Sequence, residues 1–152
     1  MNSNFYKYGS SSVHHINTTV DAMQALCHEA MRLANHRMLY IPDFGISDGL
    51  RSTADQQARY AKGRDQNGRI LYLGQVITYC DGVETMSDHQ TGHAIDFFTV
   101  GFGGQADYTA AAMTAVYSCF AEAAMNLGLV IKWGGNYGSF EDLGHISLIG
   151  EV

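Results

Sequence analysis

Apolar positions along the chain recur at helical spacing in some stretches and in strand-like runs in others. After a polar lead-in over residues 1–16, Val20, Met23, Leu26, Cys27, Ala30, Met31 and Ala34 recur three and four residues apart. That spacing predicts a helix from about Thr19 to about His36, capped by Thr18 or Thr19. Pro42 ends this region, and Asp43 to Ser47 reads as a short strand. Thr53 and Gln56 fit a capping box that opens a second helix closed by Gly63. Asp65 to Gly68 looks like a turn, and Val76 to Tyr79, β-branched and aromatic, like a strand. His93 to Val100 is strand-like. A third helix is expected from about Asp107, a good cap, to Leu127, with Gly128 ending it. Two further strands, Leu129 to Trp133 and Ile146 to Ile149, flank the glycine-rich WGGNYGS. Helices and strands do not alternate regularly and tight turns join several strands. The expected class is α+β, with about three helices and a mainly antiparallel sheet.

Length and composition narrow this picture. The 152 residues suit one domain over 1–152, with no separate binding domain or internal repeat. A hydrophobic content of 46% supplies a core, and 16% charged residues with a single proline argue against disorder. The formal net charge of −6 speaks against nonspecific nucleic-acid binding, which needs a basic surface. It also disfavours electrostatic docking on an anionic surface, so such a partner must be engaged inside a cleft. Cys27, Cys80 and Cys119 are odd in number and widely spaced, which predicts free thiols and synthesis in a reducing cytoplasm. The N-terminus has no apolar run, so no signal peptide is expected, and no segment is long enough to insert into a membrane. A monomer is expected.

Candidate metal-binding residues cluster in SDHQTGHAIDFF (87–98) and SFEDLGHISL (139–148). Each joins His and Asp to glycine and runs into strand-like residues, a setting that can project a ligand into a cleft and fix it there. Two imidazoles and a carboxylate would give a catalytic zinc three protein ligands and leave one position open. The pool is His89, His93, Asp96 and His145, with Asp88, Glu141 and Asp142 nearby. His89 and His93 have HExxH spacing, but Gln90 replaces the Glu and Gly92 disfavours a helix, so that motif is rejected. His14, His15, His28 and His36 read as ordinary surface or hydrogen-bonded residues.

The first segment fits the pattern S-x-H-x-x-G-x-A-x-D through Ser87, His89, Gly92, Ala94 and Asp96. It resembles the zinc D-Ala-D-Ala carboxypeptidase and L-alanyl-D-glutamate endopeptidase family. The second resembles that family's closing W-G-G…F-x-D-x-x-H, through Trp133, Gly134, Gly135, Phe140, Asp142 and His145. Arg51 and Gln56, in DFGISDGLRSTADQQARYAKGR, match its strand-to-helix region. The compact form is most similar to single-domain bacteriophage endolysin peptidases. One departure is Gly144, where many relatives carry proline before the last His.

The resemblance implies a hedgehog or D-Ala-D-Ala peptidase-like fold with a zinc site in a cleft at the sheet. It implies Zn²⁺ held by His89, Asp96 and His145, Asp142 as general base and acid, and Arg51 binding substrate or stabilising developing charge. Ser87 and Gln56 become substrate-binding or supporting residues. Such a site would hydrolyse peptidoglycan stem peptides, with the L-Ala–D-Glu bond first and D-Ala–D-Ala as the alternative. A lysin without a signal peptide would reach the wall through another protein's membrane pore. A reading of another class is a non-catalytic, zinc-containing peptide-binding module.

Overall fold

The computed structural model describes residues 5–138 and 141–151. Among these residues, four α-helices and four strands occur in the order α1 (Ser10–Asn17), α2 (Asp21–His36), β1 (Asp43–Asp48), α3 (Thr53–Tyr60), β2 (Ala94–Val100), α4 (Ala110–Leu127), β3 (Leu129–Trp133) and β4 (His145–Glu151). The strands form one sheet in the order β1-β2-β4-β3, antiparallel at each pairing. The chain is therefore α+β, as expected. Among the described residues no helix is long and apolar enough to cross a membrane.

Helices α2 and α4 pack against each other, and their apolar faces join the sheet in one core. Met23, Leu26, Ala30 and Ala34 of α2 are buried with Met113, Val116 and Phe120 of α4. Phe120 lies at ring-centroid distances of 5.7 Å from Phe44 and 5.4 Å from Phe97, which locks α4 onto β1 and β2. Tyr117 stacks on Trp133 at 4.0 Å, and Trp133 Nε1 donates to Leu143 O at 2.9 Å. The middle of α4, the end of β3 and the approach to β4 are thereby tied together.

Four local expectations change. The lead-in is not all irregular: Ser10–Asn17 is a helix whose Ser12 and Ile16 are buried, and which packs along β1. Ser52, not Thr53, caps α3 by accepting from Asp55 N at 3.1 Å. Gln56 is instead drawn inward, and α3 ends at Tyr60, before Gly63. Thr109 caps α4, because Asp107 is engaged earlier: its Oδ1 accepts from Thr109 N and its carbonyl from the Thr99 hydroxyl. Finally, Val76 to Tyr79 is not a strand. Among the described residues it joins none of the sheet's strands and is held from the side, with Thr78 O accepting from Arg64 Nη2 and Thr78 Oγ1 from Gln56 Nε2.

Candidate metal centre and cleft

Strand register brings the candidate residues into one row. Asp96 of β2 pairs with His145, the first residue of β4, on one side. On the other side it pairs with Asp48 of β1, because the register shifts between Ile46 and Asp48. A regular ladder would put Ser47 opposite Asp96, so the bulge re-aims Asp48 toward the site. Residues opposite one another across a ladder share a face. Three neighbouring strands thus present Asp48, Asp96 and His145 side by side.

His89 comes from outside the sheet, on a 3-10 turn over Asp88–Thr91. Ser87 Oγ accepts from His89 N at 3.4 Å, and Gln90 Oε1 accepts from Ser87 N at 3.0 Å. Gly92 ends the turn at φ 74°, a left-handed conformation that suits glycine. The buried His89 ring is fixed by its Nδ1, 2.8 Å from Gly49 O. A carbonyl can only accept, so Nδ1 carries the proton and Nε2 turns a lone pair to the centre.

Three ligand atoms converge there. His89 Nε2 is 3.3 Å from Asp96 Oδ1 and 3.3 Å from His145 Nδ1, and His145 Nδ1 is 3.2 Å from Asp96 Oδ1. His145 Nε2 is 2.8 Å from Ser147 Oγ, which orients the ring as Gly49 O orients His89. In the tautomer whose Nε2–H donates to Ser147, the three converging atoms are all acceptors, and acceptors gather at such distances around a cation or a shared proton. A tetrahedral ion with bonds of about 2.0–2.1 Å separates its ligand atoms by about 3.3–3.4 Å. The triangle fits that edge, and the N₂O donor set suits zinc. Among the described residues this is the group of three able to hold a metal ion. His93 stands apart, with its Nδ1 on Thr91.

Charge around the row is organised by Arg51. Its guanidinium is buried, with Nε 3.0 Å and Nη2 2.5 Å from Asp48 Oδ2, and Nη1 donates to Gln56 Oε1 at 2.8 Å. Nη2 also lies 3.4 Å from Asp96 Oδ2. Burial alone would raise the Asp96 carboxyl, but where protons take the place of a cation on His145 and His89, their hydrogen bonds and charge outweigh it and hold the group well below the usual carboxylate range. Gln56 is fully buried behind the wall, where its Nε2 donates to Cys80 O at 2.8 Å. It braces Arg51 from behind and is not among the residues that line the cleft, a placement that suits the supporting one of its two expected roles.

Above this floor lies an open cleft of about 550 Å³. Arg51, Ser87, His89, Asp96, Asp142 and His145 all line it. The neighbouring Glu141 is exposed and not among the lining residues. Phe140 of the closing motif lies outside the described residues. Asp142 is positioned through its backbone: its N–H donates to Gly134 O at 3.0 Å and its carbonyl accepts from His145 N at 3.2 Å. A Cβ on Gly134 would lie 2.1 Å from Asp142 O, so only glycine permits this approach. Gly144 is similarly constrained, since a Cβ there would lie 2.6 Å from Phe97 O. Burial, and then the charge of Asp96, push the Asp142 carboxyl up, offset in part by His145 and the Gly144 N–H. Two lining groups that the sequence motifs do not contain, Lys132 and Tyr137, share the cleft with Asp142, and Ile77, Tyr79 and Met86 line it as well.

Comparison with known proteins bears on the fold and on the segment that carries these residues. A crystal structure of Serratia marcescens L-Ala D-Glu endopeptidase ChiX shares the fold with a TM-score of 0.70, covering 97% of this chain and 94% of that one at 21% identity. Residues 81–148, which carry His89, Asp96, Asp142 and His145, match the family model described as D-alanyl-D-alanine carboxypeptidase. Just under half of the chain thus resembles this D-alanyl-D-alanine carboxypeptidase family, and the likeness of fold extends over nearly all of it.

Proposed function

We propose that this protein is a zinc-dependent peptidase that cuts peptidoglycan stem peptides, with the L-Ala–D-Glu bond as its target, and that it serves as a cell-wall lysin of phage type. The observation that carries this reading is the convergence of His89 Nε2, Asp96 Oδ1 and His145 Nδ1 at 3.2–3.3 Å beneath a cleft that also holds Asp142. A zinc ion bound there would act as a Lewis acid on the scissile carbonyl and lower the pKa of water toward neutrality. His89, Asp96 and His145 would hold it, with Gly49 O and Ser147 Oγ fixing the two rings. Asp142 takes a proton from the attacking water and returns it to the leaving amine. Arg51 keeps its bonds to Asp48 and Asp96 and directs positive charge at the cleft floor, where negative charge develops on the carbonyl oxygen. Ser87 lines the cleft as a candidate substrate contact.

Metal analysis combined with mass spectrometry of products from purified sacculi tests this. About one zinc per chain and new N-terminal D-Glu are expected. Chelation should abolish release, and added zinc should restore it. Release of terminal D-Ala alone would overturn the endopeptidase assignment in favour of the carboxypeptidase activity that names the family model. Full zinc occupancy with no cleavage would favour a binding module.

The close approach at Gly134 supplies a further prediction. Gly134→Ala must push the Asp142 carbonyl away. An ångström-scale displacement of a reacting group costs on the order of 10²-fold in rate. Kinetics on wall peptides should show a loss of this size, while metal content, set by residues on β2, β4 and the 3-10 turn, is retained.

A further inference from the structure

Three cationic side chains line the cleft: Arg51, Arg59 and Lys132. Arg51 is committed to Asp48, Gln56 and Asp96, and Arg59 Nη2 lies 3.4 Å from Asp48 Oδ2. Lys132 has no carboxylate partner among the described residues. Its Nζ instead sits 5.1 Å from the centroid of the Tyr137 ring, a cation–π contact that holds the ammonium without neutralising it. In a chain of net charge −6, an unpaired ammonium in the cleft is a specific feature of the site.

Its placement follows from register. Lys132 of β3 pairs with Ser147 of β4, so the two share a face. Ser147 in turn bonds the His145 ring two residues away on the same strand and face. The Tyr137 ring lies 6.4 Å from the His145 ring. Gly134 O accepts from both Tyr137 N, at 3.2 Å, and Asp142 N, at 3.0 Å. One carbonyl therefore ties the ring that carries Lys132 to the segment that carries the proton-transferring carboxylate.

We propose that Lys132, held on Tyr137 beside Asp142, binds the free α-carboxylate of the D-amino acid whose nitrogen leaves on cleavage, and so selects stems bearing that carboxylate over stems bearing a carboxamide. This rests on the peptidase reading above. Asp142 returns the proton to the leaving amine, so the carbon bearing that nitrogen lies at the Asp142 wall. In a stem peptide the D-Glu residue continues through its side-chain carboxyl, which leaves an α-carboxylate on that carbon. A terminal D-Ala carries its carboxylate on the corresponding carbon. The recognised group is the same for both bonds. A charge-assisted bond from an ammonium to a carboxylate is lost when the acceptor becomes a neutral amide.

Two pairs of synthetic stem peptides test this. One pair carries the D-Glu α-carboxylate or α-carboxamide, and the other ends in D-Ala-D-Ala with a free or amidated terminus. Wild-type protein is expected to cut the carboxylate member of the pair it accepts with kcat/KM about 10- to 100-fold above the carboxamide member. Lys132→Gln should bring that ratio close to one, and Lys132→Arg should keep most of it. Lys132 is exposed, and matching thermal unfolding of wild-type and variant proteins would show that the fold is unchanged. Equal cleavage of both members by wild type, or an unchanged ratio in Lys132→Gln, would overturn the proposal. Wild type that cuts neither pair would bring down the peptidase reading itself, and this proposal with it.

Discussion

Asp142→Asn is expected to lower kcat/KM on wall peptides by about 10²–10⁴-fold, the usual contribution of a positioned acid–base group, with metal content unchanged. Asparagine keeps the size of the side chain and leaves the backbone bonds to Gly134 O and from His145 N intact. What it removes is the ability to take up and return a proton. A loss of metal together with activity would mean that Asp142 belongs to the metal-binding group instead. The raised carboxyl gives an independent handle in metal-free protein. A carboxylate whose folded pKa lies above its unfolded one binds a proton more tightly in the native state, so its charged form is a destabilising presence at neutral pH. Metal-free Asp142→Asn should therefore unfold at a slightly higher temperature than metal-free wild type at pH 7. The gap should close as pH falls below the usual aspartate range, where both states are protonated. A gap that widens toward acid pH would contradict the assigned shift.

Arg51→Met should destabilise the protein by up to about 3 kcal/mol, the low end for breaking a buried charge pair. The side chain of Arg51 is only 8% exposed, and removing its charge leaves Asp48 and Asp96 facing each other across β1 and β2. Those carboxylates keep 17% and 26% of their exposure, so water relieves part of the penalty. Chemical denaturation should report the loss as a lower midpoint with an unchanged slope. Arg51→Lys is expected to recover only part of it, since one ammonium cannot reproduce the Nε and Nη2 contacts to Asp48 together with the Nη1 bond to Gln56. Metal affinity should fall in both variants, because Asp96 loses a partner that helps fix its orientation.

How much of this was legible in the sequence depends on the range over which each feature is determined. The strands at Asp43, Ala94, Leu129 and His145 and the two long helices announce themselves in local patterning, because each buries a face of regular period. Helix α1 does not, since SSSVHHIN has few apolar residues and forms where Ser12 and Ile16 can be buried. Val76 to Tyr79 misleads in the other direction. Its β-branched residues would suit a strand, but side-chain bonds from Gln56 and Arg64 fix it outside the sheet instead.

At the site, His89, Asp96, His145 and Asp142 lie in motifs short enough to read in one pass. The partners that orient them do not. Gly49 O is forty residues from His89, Asp48 reaches Asp96 only through a bulge, and Ser147 and Lys132 become neighbours only once β3 and β4 are in register. Sequence proximity identifies the chemistry-bearing atoms, while strand register supplies what holds them.

That register has a consequence for how the molecule behaves in solution. β3 is an outer strand with a single ladder partner, and such edges invite pairing with a second chain. Three features blunt this one: it spans five residues, its register shifts between Val130 and Ile131, and an exposed lysine stands near its end. Lys132 is that lysine. Replacing it with an apolar residue to admit amidated stems would also remove the edge's only charge, beside the exposed Val130. Substrate range and resistance to self-association are thereby coupled through one side chain, and polar replacements are the ones expected to change the first without eroding the second.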